Sequence, residues 1–503
     1  MPSSDAIIIG GGTNGMACAF RLAQAGRRVT VIEAAATAGG GAATAEIAPG
    51  YRVPALAHLV QALDPRVAAG MDLERHGLRL VATDIATTAL GADATHRTVR
   101  GTTASGPDAA VWGVLLQRLG RYATALAPFR AMTPPSLAGK GNQWGKLARL
   151  ALGLRAMGKA DFREFLRLIL INAADVAEDE LSDPLLQGLL AFDATLGAWA
   201  GPRSPNTLIL FLNRLAMGPL AWPAGGPASV AQAMQAALVA SGVDLRTGTA
   251  VARIEVTDHC ATGVTLVSGE TLTAPLIVSA IGPRTTFRDL VGPRALDTGF
   301  HTAAGHIRGR GAAAKLHLAL TGVPDFRGAD LRSRLVIAPS VNAIETAFNP
   351  GKYGRVPARP VMEIVIPSAH EPGWAPEGHH SLSAIVQFAP HAPHDAGASR
   401  AEMLENTLQV LEDHAPGLRR LIAHAEMLMP SDIATRHGMD GGNWHGGAEL
   451  SVEQMLFLRP LQAVAQYATP LPGLWLAGAG SHPGGGITGM PGWNAAQAIL
   501  KGA

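Results

Sequence analysis

Only two cysteines occur in 503 residues, Cys18 and Cys260, far apart and in no C-x-x-C arrangement. That scarcity excludes a disulfide framework, a structural zinc site and a dithiol redox pair, and it favours a reducing compartment. Charge is also sparse, at 16% of residues, and 41 basic side chains face 39 acidic ones. A formal net charge of +2 leaves no electrostatic footprint for nucleic acid. No uncharged apolar run reaches the ~18 residues that a spanning helix needs. The first apolar run begins at Ala6, which leaves no room for the charged and apolar regions of a signal peptide. These absences predict a cytoplasmic protein, either soluble or peripheral to a membrane.

Apolar residues are abundant, at 48%, and the 59 glycines and 34 prolines follow no fixed period. The chain is therefore globular and not a repeat protein, with room for about three domains at ~150 residues each. Ala6 to Ile9 reads as a buried strand, Asn14 to Ala25 as a helix stopped by Gly26, and Val29 to Ile32 as a second strand. Together they make one βαβ unit. From about Trp112 to Leu215 the pattern turns helical. Strand and helix signals then return: a helix over Ala231–Ala240 and β-runs at Val243–Leu245, Val251–Val256, Val264–Val267 and Leu276–Ser279. Further strands are expected at Lys315–Leu320 and Val361–Ile366, and a last strand–helix pair in "GLWLAGAG" and "NAAQAIL".

That recurrence predicts an α/β fold: a discontinuous Rossmann-like FAD-binding domain with an inserted substrate domain and a helical cap. The expected division gives residues 1–110, 221–298 and 441–503 to the FAD-binding domain. It assigns 111–220 to the cap and 299–440 to the substrate domain.

The chemistry concentrates at three places. Gly10, Gly12 and Gly15 satisfy G-x-G-x-x-G between a strand and a helix, and Thr13 and Asn14 lie inside the motif. The first glycine allows the tight turn, the second lets backbone approach a pyrophosphate, and the third packs helix on strand. Phosphate then meets the free N–H groups of a helix N-terminus. Glu33, followed by Ala34, ends the next strand, where a carboxylate accepts hydrogen bonds from the adenosine ribose. Next comes a glycine-rich loop with Gly39, Gly40, Gly41 and Ala42, permitting close approach to a long cofactor, which suits FAD better than NAD. Near the C-terminus, "GSHPGGGITGM" contains Gly486 and Ile487 and leads into a helix starting near Met490. The N–H groups of that helix are expected to face the flavin pyrimidine edge. His482 in this stretch is either an acid–base group or a loop histidine bonded to backbone.

The glycine opening, Glu33, the "GG" loop and "HPGGG" resemble the FAD-dependent phytoene desaturase superfamily. Within it the chain is most similar to the branch of pyridine nucleotide-disulfide oxidoreductase domain-containing protein 2, on "WPAGGPASVAQAMQAALVASGVDLRTGTAVARI" and "GGNWHGGAELSVEQMLFLRP". The resemblance implies that Val251 contacts the adenine and that Gly478 and the following residues lie along the flavin. It also puts His58, His445 and His482 in segments that flank the flavin, as candidate catalytic bases. Many relatives carry an arginine directly after the glycine pair, where this chain has "GGGAAT", so carotenoid specificity does not transfer. No second glycine fingerprint follows a strand, so no nicotinamide site is expected.

The resulting expectation is an FAD-dependent oxidoreductase, a desaturase, dehydrogenase or oxidase acting on a C–C or C–N bond of an apolar or amphipathic small molecule. Oxygen or a quinone would be its electron acceptor. The alternatives are a flavin amine oxidase and an FAD-bound assembly factor with little turnover. The basic stretch containing Lys140, Lys146, Arg149, Arg155, Lys159, Arg163 and Arg167, interleaved with leucine and phenylalanine, is either a solvated cap or a contact with a membrane surface.

Overall fold

The computed structural model describes residues 4–61, 63–136, 145, 148, 152, 153, 155 and 157–502. A five-stranded parallel sheet is assembled from distant parts of the chain. Its order is Asp244–Arg246, Val29–Ile32, Ala6–Ile9, Ile277–Ser279, Leu474–Leu476, with every neighbouring pair parallel. Apart from the charged edge strand Asp244–Arg246, these strands are short and largely apolar because both faces are covered. Side chains alternate between the two faces. Ala6, Ile8, Val31 and Val278 meet the helices Thr13–Gln24, Ala228–Ala240 and Met490–Leu500, through Met16, Met234 and Trp493 among others. Ile7, Ile9, Ile32 and Ile277 meet a three-stranded antiparallel layer through Ile254, Val264 and Leu266. The expected helix and strand positions in these regions agree with the structure to within four residues at each end.

The second sheet has eight strands. Their order is Ile422–Leu428, Ala313–Leu320, His380–Gln387, Val361–Val365, Arg334–Ile337, Thr87–Ala89, Arg97–Arg100, Thr103–Ala104. Only the pairing of Arg334–Ile337 with Thr87–Ala89 is parallel. The last three strands lie within the segment 1–110, which the sequence reading assigns whole to the first domain. The chain therefore crosses to the second sheet well before residue 110. One face of this sheet packs Leu316, Leu318, Met362, Ile364 and Leu382 against Met403, Val410 and Leu411 of the helix Ala396–His414.

Between residues 109 and 215 lie the helices Ala109–Arg130, Lys159–Leu170, Ala173–Glu180, Pro184–Asp193 and Leu208–Leu215. Asn172 and Asp183 cap the third and fourth of these, accepting from Asp175 N at 2.8 Å and Leu185 N at 3.0 Å. Helix Lys159–Leu170 buries Phe165 and Leu168 while Leu166, Arg167 and Leu170 stay exposed. Gly158, at φ +89°, begins that helix, so Arg155 is not on it. Lys140, Lys146 and Arg149 lie outside the described residues. Among the described residues no helix is long and apolar enough to cross a membrane.

Candidate active site

A single cavity of about 840 Å³ lies between the carboxyl ends of the parallel strands and the second sheet. Its size is that of a site enclosing a cofactor-sized ligand. One end is lined by Gly10, Gly12, Thr13, Asn14, Glu33, Ala34, Gly39, Gly40, Gly41, Ala42 and Val251, and the C-terminal segment adds Pro483 to Ile487, including Gly486. Three regions separated by hundreds of residues thus converge.

The glycines have different physical reasons. Gly10 turns at φ +103°, where L side chains are strained. A Cβ on Gly15 would stand 2.0 Å from Gly10 O, so that position is reserved for backbone contact. Gly12 has ordinary angles, φ −69° and ψ 170°, and a Cβ there would meet nothing within 4 Å. Neither strain nor packing accounts for a glycine at position 12, but a ligand lying against it does. Gly12 also caps the helix Thr13–Gln24 with no side-chain hydrogen bond, leaving the first N–H groups to face the cavity. Asn14 Oδ1 is buried with no hydrogen-bond partner, the kind of atom a bound ligand satisfies.

Glu33 is placed by its own strand and by the loop it faces. Its Oε2 accepts from Gly11 N at 2.6 Å and its Oε1 from Ala35 N at 2.8 Å. A carboxylate offers about four acceptor positions, so capacity remains for a diol.

Gly15, Gly478 and Met490 do not line the cavity. Gly478 is pinned by packing, since a Cβ there would come within 2.7 Å of Ala280 O and Ile281 O. Met490 begins its helix but donates its N–H to Thr488 Oγ1 at 3.1 Å. His482 also lies off the cavity wall: its Nε2 is 2.6 Å from Phe129 O, a bond to backbone, and burial pushes its pKa down to about 4. Of the three candidate histidines, His58 and His445 line the cavity. His445 Nε2 donates to Leu196 O at 3.1 Å, which leaves Nδ1 as the lone-pair nitrogen. Burial, with the nearby Arg459 charge, lowers its pKa to about 4.

His58 sits in a set of buried charges that the motifs did not reveal. Its Nδ1 is 3.3 Å from Glu363 Oε1, without an aligned hydrogen bond. Burial, helped by Lys315 and Arg334 and opposed by Glu363, lowers its pKa to about 3. Arg334 donates Nε to Glu363 Oε2 and Nη2 to Asp193 Oδ1, both at 2.6 Å. Burial disfavours the Glu363 carboxylate, yet Arg334 and His58 hold its pKa well below the usual range. Lys315, fully buried, donates Nζ to Leu56 O at 2.7 Å, and burial drives its pKa well down. A signal for these residues existed in the alternation of the strands. Lys315, Ile385 and Glu363 are direct neighbours across three strands, so they share one face, turned away from the leucine core. In "AAKLHLAL" and "VMEIV" the charged positions fall in otherwise apolar strands.

Residues 15–500 match the family described as flavin containing amine oxidoreductase. The chain is 27% identical over 550 residues to the pyridine nucleotide-disulfide oxidoreductase domain-containing protein 2 of Rattus norvegicus, covering 99% of this chain and 94% of that protein. It is 30% identical over 281 residues to the neurosporene-forming phytoene desaturase of Cereibacter sphaeroides, covering 53% of this chain and 51% of that one. Among solved structures, an oxidoreductase from Methanosarcina mazei superposes with a TM-score of 0.63 at 16% identity, covering 99% of each chain.

Proposed function

Because the chain belongs to the flavin containing amine oxidoreductases and is an FAD-dependent oxidoreductase, we propose that it removes a hydride from a C–C or C–N bond of an amphipathic small molecule. The observation that carries this reading is the single cavity joining the glycine cradle to a compartment walled by Leu196, Leu210, Met217 and Trp444. Gly10 to Asn14 would hold the pyrophosphate, Glu33 the ribose, Val251 the adenine side, and Gly39–Ala42 with Gly484–Ile487 the path to the flavin. FAD, when bound, supplies the hydride acceptor. The protein's share is to orient the substrate in a dry compartment and to receive the proton released with the hydride. His445 Nδ1 is the basic atom best suited to that task, being uncharged and on the wall. Oxygen or a quinone then takes the two electrons. The helix Lys159–Leu170 is read as part of a cap, supported by its inward Phe165 and Leu168.

The test is anaerobic reduction of the flavin across a panel of medium-chain alcohols, acids, alkenes and amines, followed by peroxide or dye assays. Bleaching by members with C–H bonds next to unsaturation or a heteroatom is expected. Bleaching by amines alone would favour an amine oxidase, and none at all an assembly factor. NADH and NADPH are expected to reduce the flavin far more slowly than turnover, since no second glycine fingerprint follows directly on a strand.

Glu33→Ala is expected to weaken FAD binding by roughly ten- to a hundred-fold. Hydrogen bonds to a charged acceptor are worth about 1.5–3 kcal/mol. Fluorescence titration of the apoprotein measures this, and an unchanged Kd removes the ribose assignment.

A further inference from the structure

A cavity for a wholly apolar molecule does not need charged side chains on its wall, yet Arg214, Arg334, Asp193 and Glu363 all line this one. Three of the four are accounted for by one another. Arg334, with a side chain 1% exposed, is held by Asp193 and by Glu363 at 2.6 Å. Arg214 is different. It projects from the last turn of the helix Leu208–Leu215, and its Nε comes no closer than 3.4 Å to Asp193 Oδ1. Its guanidinium makes no hydrogen bond with a described residue, although its side chain is only 19% exposed. A guanidinium carries five donors, and turning them toward apolar walls is costly unless an acceptor meets them.

The sharing of acceptors points the same way. Asp193 Oδ1 is divided between Arg334 at 2.6 Å and Arg214 at 3.4 Å, Glu363 is taken by Arg334, and burial disfavours the charged forms of His58 and Lys315. An anionic group would give Arg214 an acceptor of its own. An ammonium would not, because Arg334 already engages both carboxylates and any cation there would face two guanidiniums.

We propose that the substrate carries a carboxylate, received by Arg214, while its apolar part lies along Leu196, Leu210 and Met217. The inference rests on the reading that this compartment is where the substrate of the oxidoreductase binds. Paired N–H donors in a fixed fork match the two oxygens of a carboxylate, which makes arginine the suited partner. One end of the molecule is thereby anchored and the reacting carbon is set at a fixed distance from the anchor.

The experiment uses the full-length, FAD-loaded protein and three probes of equal chain length: decanoate, decanol and decylamine. Binding is read by the shift in flavin absorption and, independently, by calorimetry. Decanoate is expected to bind at least about ten-fold tighter than decanol, with decylamine weakest, as a charge-assisted pair requires. In Arg214→Gln the preference of decanoate over decanol should collapse to within about three-fold, and Arg214→Lys should restore part of it. Equal affinity for decanoate and decanol, tighter binding of decylamine, or a preference that survives Arg214→Gln would each overturn the carboxylate assignment. Should Arg214→Gln fail to retain FAD, the three-probe series on the unaltered protein decides alone. The reading beneath fails separately: it falls if calorimetry detects none of the probes and no compound in the wider panel reduces the flavin.

Discussion

Gly12→Val is expected to give a folded protein that no longer retains FAD. The backbone at Gly12, φ −69° and ψ 170°, suits valine, and a Cβ there meets no atom within 4 Å. Replacing a helix-capping glycine that makes no side-chain bond costs a few tenths of a kcal/mol to about one. The new isopropyl group, however, would stand in the cavity in front of the first N–H groups of Thr13–Gln24. If the pyrophosphate lies there, affinity should drop more than a hundred-fold, at least about 2.7 kcal/mol. The control is Gly15→Val, three residues on, which should not fold at all, because its Cβ would sit 2.0 Å from Gly10 O. Thermal unfolding and the flavin released from the purified proteins distinguish the two. A Gly12→Val protein that stays yellow at full stoichiometry would move the pyrophosphate elsewhere.

Arg459→Met should be the most destabilising single change in the C-terminal segment. The Arg459 side chain is fully buried and forms no ion pair with a described residue. It donates instead to six backbone carbonyls: Ser481 at 3.3 Å, Glu449 at 3.1 Å, Gln454 at 3.2 Å, His445 at 3.2 Å, Ala448 at 3.1 Å and Ala479 at 2.8 Å. Those carbonyls belong to two stretches, 445–454 and 479–481, which carry His445 and lead into the cavity-lining Pro483–Ile487. Methionine fills much of the same space but leaves five of the six acceptors without a donor among the described residues, Glu449 O keeping Gln454 Nε2 at 3.2 Å. Each buried group left unsatisfied costs about 1–3 kcal/mol, partly relieved by relaxation. The expected loss is at least about 4 kcal/mol, a large part of the ~5–15 kcal/mol that holds a domain together. Arg459→Lys, with three donors in place of five, should fall between. Urea unfolding followed by tryptophan fluorescence and flavin release measures both. A methionine variant within about 1 kcal/mol of the unaltered protein would show that the staple is dispensable.

Local chemistry made the parallel sheet legible. Ala6–Ile9 and Val29–Ile32 are short apolar runs because both faces are covered, and the glycines between them permit a turn that no other residue takes cheaply. The same signals recur at Ile277–Ser279 and Leu474–Leu476, so the return of the chain to this sheet could be read without coordinates. The passage of residues 87–104 onto the other sheet could not. Those strands are two to four residues long and carry threonine, alanine and arginine, a pattern that fits the edge of either sheet.

The candidate site divides along the same line. Gly10, Gly12 and Glu33 could be assigned from sequence because the turn, the helix start and the strand end that give them meaning all lie within 24 consecutive residues. His58, His445 and His482 look alike as letters; only the packing sends His482 to the Phe129 carbonyl and leaves the other two on the cavity wall. Arg334 meets Asp193 across 141 residues and Glu363 across 29, pairings set by sheet register and by the docking of a helix against that sheet. The sequence by itself thus determined the dinucleotide frame and FAD, because backbone conformation and helix termini are local properties. The tertiary structure alone decided which charges share a cavity, because burial and pairing depend on what distant segments bring to the same face.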